Sequence, residues 1–369
     1  MPINSIMISK DSLHIDWITK VSTANRKADK ILVEKVIRAL LLLEGLAKQN
    51  LDFVFKGGTA LMLILESSKR LSIDIDIIVE KEPQDLERLF ENLIEDQGFT
   101  KLELQERKAG TNIQKAHYKF FYKPSHQTLA EEESILLDIL FEKVGYQKIE
   151  EIPIDSKFIL SQGDPIIVRV PSKEDILGDK LTAFAPNTTG IPYFKGKTSM
   201  SMEILKQLYD VGNLIDVAVD CGLVKTTFEL FAAVELKYRE CEDNINGVLE
   251  DIYQTALCIV SRGIVGKGDF EELQTGIQRV SRFIFSESFH IDKAIIAASK
   301  AAYLAVLIRS SNVVIEKYGD PKIMKDWSIG EPLWPRLNRL KKSNPEAFFY
   351  WYKIFELHTS SSAKKSRFG

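Results

Sequence analysis

The sequence predicts an α+β protein, with a mixed β-sheet flanked by helices in its first half and an all-α domain in its second. Three observations predict this. Short apolar or alternating runs bounded by turn residues recur up to Val170, interleaved with helical periods. From Met200 onward almost every segment keeps a helical period. Between the two lies Pro186 to Thr198, rich in glycine, proline and threonine, which reads as a loop between domains or at the lip of a cleft. At 369 residues the chain exceeds one ordinary domain. We expect a first domain over 1–195, a helical domain over 196–358 and a disordered serine- and lysine-rich tail over 359–369.

The elements follow in order. Leu32, Val36, Leu40, Leu43 and Ala47 fall on one helical face between Lys27 and Asn50. Phe53 to Phe55 is a short strand running into Gly57-Gly58, and Thr59 to Ser67 is a strongly apolar helix. Ile73 to Val79 alternates aspartate with isoleucine and predicts a strand with two different faces. Pro83 to Gln97 is a helix, and Lys101 to Gln105, His117 to Tyr122, Ser134 to Phe141 and Ile166 to Val170 are strands. Ser172 is placed to cap a helix over Ile176 to Phe184 that stops at Pro186. Helices are then expected at 202–221, 226–239, 246–260, 270–285, 291–309 and 344–357.

Composition narrows the class only a little. The net charge of −3 neither demands nor refuses a nucleic-acid partner, because acids such as Glu131 to Glu133 lie far from basic pairs such as Lys341-Lys342 and Lys364-Lys365. No apolar run approaches the roughly 20 residues of a membrane helix, and Lys10, Asp11, Asp16 and Lys20 interrupt the N-terminal stretch where a signal peptide would be apolar. The expectation is a cytoplasmic protein with no membrane partner. Cys221, Cys241 and Cys258, all in stretches with helical pattern, lack metal-ligand spacing and read as free thiols.

The chemistry concentrates in Lys56-Gly57-Gly58-Thr59-Ala60-Leu61 and Arg70-Leu71-Ser72-Ile73-Asp74-Ile75-Asp76-Ile77. Side chains alternate along a strand, so Asp74 and Asp76 project from one side, where both can hold one hard cation. Magnesium takes oxygen ligands and joins one or two carboxylates to substrate phosphates. The glycines complement them, since bare backbone amides at a helix N-terminus approach phosphate oxygens closely and the helix dipole favours an anion there. Thr59 adds a hydroxyl donor. Each feature alone is weak, the glycine pair being most often a tight turn and the Asp-x-Asp a solvated strand edge. Their order, glycine turn, helix, then acids on the next strand, carries the inference.

These residues resemble the DNA polymerase β-like nucleotidyltransferases, and within them the AbiEii/AbiGii toxin branch of type IV toxin–antitoxin systems. Gly57 to Leu61 match the Gly-Gly-Thr-Ala-Leu block of that branch, and Arg70, Ser72, Asp74 and Asp76 match its Arg-x-Ser-x-Asp-x-Asp block. Asp179 to Ala183 is similar to the family's helix with an essential lysine, which places Lys180 there. Lys206 to Asp210 resembles the family's Lys-Asp-x-x-Asp-Leu helix, with Asp210 at its second aspartate, Gln207 in place of the first and Val211 in place of the leucine. The resemblance spans about Lys56 to Asp216 and implies that the first domain is a nucleotidyltransferase domain.

What it implies for the site is specific. Asp74 and Asp76 would bind Mg²⁺ or Mn²⁺ against the phosphates of a nucleoside triphosphate substrate. Asp138, a lone aspartate in an apolar strand, is the candidate third carboxylate, as metal ligand or as base for the incoming hydroxyl. Lys180 would stabilise the leaving pyrophosphate. Asp210 positions Lys180 or a substrate group. Gly57, Gly58 and Thr59 would line the nucleotide, and Arg70 and Ser72 either order the loop or touch phosphate. None of the five histidines is assigned to catalysis. Lys195, Lys197 and Lys206 read as solvated, and Phe348 to Tyr352 as core.

The expected activity is transfer of a nucleoside monophosphate to an acceptor hydroxyl with release of pyrophosphate. The resemblance favours the tRNA 3′ end as acceptor and a cognate antitoxin encoded nearby. The competing readings are a protein or small-molecule hydroxyl as acceptor, and a non-catalytic nucleotide-binding module.

Overall fold

The computed structural model describes residues 8–65, 69–109, 114–126, 131–310 and 314–365. The chain divides into two compact units, one comprising 1–172 with the returning segment 282–288, the other 173–281 with 289–369.

The first unit opens with helices α1 (Ile15–Ala24) and α2 (Lys30–Lys48). Strand β1 (Val54–Lys56), helix α3 (Gly57–Ile64) and strand β2 (Ile75–Ile78) follow, then α4 (Leu86–Gln97) and strands β3 (Lys101–Ala109), β4 (Gln114–Tyr122) and β5 (Glu133–Phe141). The sheet is five-stranded and mixed, in the order β1-β2-β5-β4-β3, with β2 parallel to β5 and all other neighbours antiparallel. Alternation decides its faces. Ile75, Ile77, Ile135, Leu137, Ile139, Ala116, Tyr118 and Phe120 are buried in one core with Leu40, Leu43 and Leu93 of α2 and α4. The intervening Asp76, Leu136, Asp138, His117 and Lys119 remain half-exposed. Phe90 meets Tyr118 and Phe120 edge-on, at 4.9 and 5.4 Å between ring centres, which fixes α4 over the sheet.

Strand β7 (Ile167–Pro171) forms as expected, but it pairs antiparallel with β6 (Ile149–Pro153) in a separate two-stranded ladder outside the main sheet. Alternation along β6 is exposed-half-buried throughout, so no apolar run announces it. The returning segment closes the unit: Leu71 N–H donates to Phe283 O at 2.8 Å, and Arg70 bridges Ile284.

The second unit is helical, with α5 (Lys173–Ala183), a small hairpin of β8 (Phe194–Lys195) and β9 (Thr198–Ser199), then α6 (Ser201–Val217), α7 (Cys221–Tyr238), α8 (Ile245–Ser261), α9 (Phe270–Val280), α10 (Ile291–Ser310), α11 (Leu340–Ser343) and α12 (Pro345–Lys365). It begins at Lys173, ahead of the expected 195/196 boundary, because α5 packs with α6 and α7. Helix α10 is its axis, alanine-rich and buried almost throughout. Phe348 to Trp351 are buried, as their apolar run predicts, and Trp351 Nε1 donates to Ser299 Oγ at 2.9 Å. Helix α12 continues through 359–365, where composition predicted disorder; a helix already anchored by its buried first turns propagates at low cost. Residues 366–369 lie outside the described residues. The start of the Pro186 to Thr198 segment is held by Asp251, which accepts hydrogen bonds from Asn187 N, Asn187 Nδ2 and Thr188 Oγ1 at 2.9, 2.6 and 3.0 Å.

Cys221 and Cys258 are buried free thiols and Cys241, half-exposed, follows α7 rather than lying in a helix. Among the described residues no helix is long and apolar enough to cross a membrane.

Candidate active site

The expected strand-turn-helix forms at β1 and α3. Gly57 is the first residue of the helix with φ of 83°, a conformation that costs any residue with a Cβ. Lys56, in the capping position, makes no side-chain capping bond. A Cβ on Gly57 would overlap the Asp76 carboxylate, so the missing side chain is the space that the acid occupies. A Cβ on Gly58 would lie 2.6 Å from Ser72 Oγ and 2.7 Å from Arg70 Nη2. The two glycines are thus where α3 meets the Asp-x-Asp block, Gly57 beneath Asp76 and Gly58 beneath Arg70 and Ser72.

Register explains the first of these contacts. Lys56 and Asp76 are direct partners across β1 and β2, which brings the turn after β1 beside the acid on β2. The strand starts at Ile75 rather than Ile73, and Asp74 lies in the approach to it. Asp74 and Asp76 are half-exposed on either side of the fully buried Ile75, the alternation the sequence predicts. Thr59, expected to offer phosphate a hydroxyl, is fully buried, and that hydroxyl donates to the Asp74 carbonyl at 2.6 Å, which fixes the segment carrying the acid.

Arg70 is 7% exposed, and its Nη1 donates to Leu71 O at 3.2 Å. Ser72 N–H is 3.3 Å from Met62 Sδ. Both residues lie in the loop into β2, and the side chains of both border Gly58.

Asp138 is the Cα partner of Asp76 across β2 and β5, and of His117 across β5 and β4. Its Oδ1 lies 2.6 Å from His117 Nδ1, with both side chains one-third exposed. Asp138 thus stands one strand from Asp76, while among the described residues no group of three or more His, Cys, Asp and Glu could hold a metal ion. The donors that remain, the carboxylates of Asp74 and Asp76, still fit a hard divalent ion that keeps most of its waters and shares the rest of its shell with substrate phosphates. His117 is the residue that sequence reasoning passed over. Its signal was its place in β4, opposite the only acid of an apolar strand, and it needed the β4–β5 register to be read.

Lys180 on α5 and Asp210 on α6 lie in the helical unit and pair with each other at 3.2 Å, both buried. Asp175, earlier on the same helix and fully buried, accepts from Thr227 Oγ1 at 2.5 Å, which joins α5 to α7. Lys206 pairs with Glu203 at 3.0 Å, while Lys195 and Lys197 are exposed on the hairpin.

The chain resembles JHP933 of Helicobacter pylori at 15% identity, over 77% of this chain and 94% of that one, with a TM-score of 0.42. It resembles MenT4, a nucleotidyltransferase toxin of Mycobacterium tuberculosis H37Rv, at 13% identity, over 79% and 98% of the two chains, also with a TM-score of 0.42. No curated protein matches the sequence. The model of the nucleotidyl transferase AbiEii toxin family, type IV toxin–antitoxin system, matches residues 41–305, from α2 through both motif-bearing regions to α10. The chain belongs to the AbiEii family of nucleotidyl transferase toxins.

Proposed function

We propose that this protein transfers the nucleoside monophosphate of a nucleoside triphosphate to the 3′ hydroxyl of tRNA, releasing pyrophosphate. The observation that carries the reading is the seat of Asp76 against Gly57 at the start of α3, with Arg70 and Ser72 over Gly58. An acid for a cation and a helix N-terminus with a guanidinium for phosphate then stand side by side.

Asp74 and Asp76 would hold Mg²⁺ or Mn²⁺, which supplies the positive charge that phosphoryl transfer requires. The backbone of α3 and Arg70 orient the triphosphate so that the α-phosphorus faces the acceptor. Thr59 keeps the Asp74 segment in place through its carbonyl. Lys180, the lysine of the family's pattern, is held by Asp210 within the helical unit. A toxin of this type works against an antitoxin, which we expect to be encoded next to it, and growth arrest follows from tRNA ends blocked by added nucleotide.

The test uses α-³²P-labelled triphosphates with total cellular RNA. Wild-type protein should pass label to material that ribonuclease digests, and Asp76→Ala should reduce the rate at least a hundredfold. Undiminished transfer by Asp76→Ala would show the site to be elsewhere. Label sensitive to protease instead of ribonuclease would move the acceptor to protein.

A further inference from the structure

Two lysines stand over one aromatic cluster of the first unit, and a third lies close to them. Lys20 of α1 lies over the Trp17 ring, 5.2 Å from its centre. Lys157, in the connection between β6 and β7, lies over Phe285 at 4.7 Å and over Phe158 at 5.8 Å. Trp17 Nε1 donates to Phe158 O at 3.0 Å, and Phe158 meets Phe285 edge-on at 5.7 Å, so both lysines rest on one packed base. Lys69 is the third. Its carbonyl accepts from Ser286 Oγ at 2.9 Å, and the next residue, Arg70, bridges Ile284, the neighbour of the Phe285 beneath Lys157.

The way these charges are held decides what they can bind. A ring face fixes an ammonium without neutralising it, whereas a carboxylate does both. Among the described residues neither Lys20 nor Lys157 has a carboxylate partner, and both are exposed. Desolvation of Lys157, and after it the Lys69 ammonium, lowers the Lys157 pKa. Two ammonium groups that repel each other gain from an anion between them, because one repulsion is then offset by two attractions. Extent identifies the anion. A triphosphate is already matched by the α3 N-terminus and Arg70, whereas charge that continues from Lys69 to Lys157 and on to Lys20 suits an anion that repeats. The backbone of a nucleic-acid strand is such an anion. Phe158 and Phe285 are buried beneath Lys157, at 0% and 6% exposure, so their rings are covered against bases and the patch selects phosphate rather than sequence.

We propose that Lys157, with Lys20 and Lys69, holds backbone phosphates of the acceptor RNA and leads its 3′ end toward the Arg70 loop. The inference rests on the nucleotidyl-transfer reading given above. It also gives the returning segment 282–288 a role in binding: Phe285 supports Lys157, while Ile284 and Ser286 hold Arg70 and Lys69.

The experiment measures binding of single-stranded RNA with a free 3′ hydroxyl to wild type, Lys157→Ala, Lys157→Arg and Lys20→Ala, by fluorescence anisotropy across a salt series without triphosphate. Binding of a non-hydrolysable triphosphate is measured on the same proteins. Lys157→Ala is expected to weaken RNA binding about fivefold, equally for RNAs of different sequence, and to reduce the slope of log K against log salt by about 0.7, the single-strand value for one phosphate contact. Lys20→Ala should act in the same direction, Lys157→Arg should keep affinity and slope, and triphosphate affinity should stay within about twofold throughout. RNA affinity and salt slope unchanged in Lys157→Ala would overturn the assignment, and a loss confined to triphosphate binding would overturn it by moving the anion to the nucleotide. Label transfer from an α-³²P triphosphate tests the underlying reading separately. Wild type that binds RNA through Lys157 yet transfers no label would support the backbone site and overturn the nucleotidyl-transfer reading alone.

Discussion

At the scale of single residues, Gly57 and Asp76 constrain each other. Gly57 needs its positive φ to turn β1 into α3, and it needs to lack a Cβ because Asp76 fills that space. Gly57→Ala should cost about 1–2 kcal/mol for the left-handed backbone alone, and the overlap should displace the carboxylate and abolish transfer. Urea unfolding with the label-transfer assay checks both, and unchanged values would show that the acid is not seated there. Gly58 differs, because a Cβ there meets the ends of Arg70 and Ser72, which have rotamers to move into. The glycine pair and the acids were legible in the sequence because their chemistry is local, a turn and the strand that follows it. Thr59 and His117 were not. Whether a threonine at a helix start faces ligand or backbone depends on the Asp74 carbonyl arriving 2.6 Å away, and His117 acquires meaning only across a strand pair.

At the scale of elements, α5 and α6 are joined by Lys180 and Asp210, whose charges are both removed from water. Breaking such a pair from one side leaves the other charge buried, at a cost of about 3–5 kcal/mol, whereas replacing both with apolar groups is often neutral. We therefore expect Lys180→Met to lower stability by about that amount, and Lys180→Met with Asp210→Leu to regain most of it without regaining transfer. Denaturant midpoints alongside turnover check this. Full activity in the double variant would make the pair purely structural. Periodicity located these helices within a few residues, since each has a long amphipathic or apolar repeat. It failed on β6, whose alternation is between exposed and half-buried positions, and on the small β8–β9 hairpin, where pairing is local and leaves little apolar trace.

At the scale of the whole molecule, the sheet unit is not continuous in sequence. Residues 282–288 return to it from the helical half, where Phe283 O accepts from Leu71 N, Ser286 Oγ donates to Lys69 O and Phe285 packs edge-on against Phe158. The loop that carries Arg70 and Ser72 is therefore held by residues more than two hundred positions downstream. No motif or period encodes that contact. The account as a whole stands on Asp74 and Asp76 capturing a cation beside the α3 cradle, and binding of Mn²⁺ followed by electron paramagnetic resonance, with and without a non-hydrolysable triphosphate, measures this directly. The account predicts that the nucleotide tightens Mn²⁺ binding in wild type and that Asp74→Asn with Asp76→Asn weakens it at least tenfold. Equal Mn²⁺ affinity in the two proteins, with nucleotide present, would contradict it.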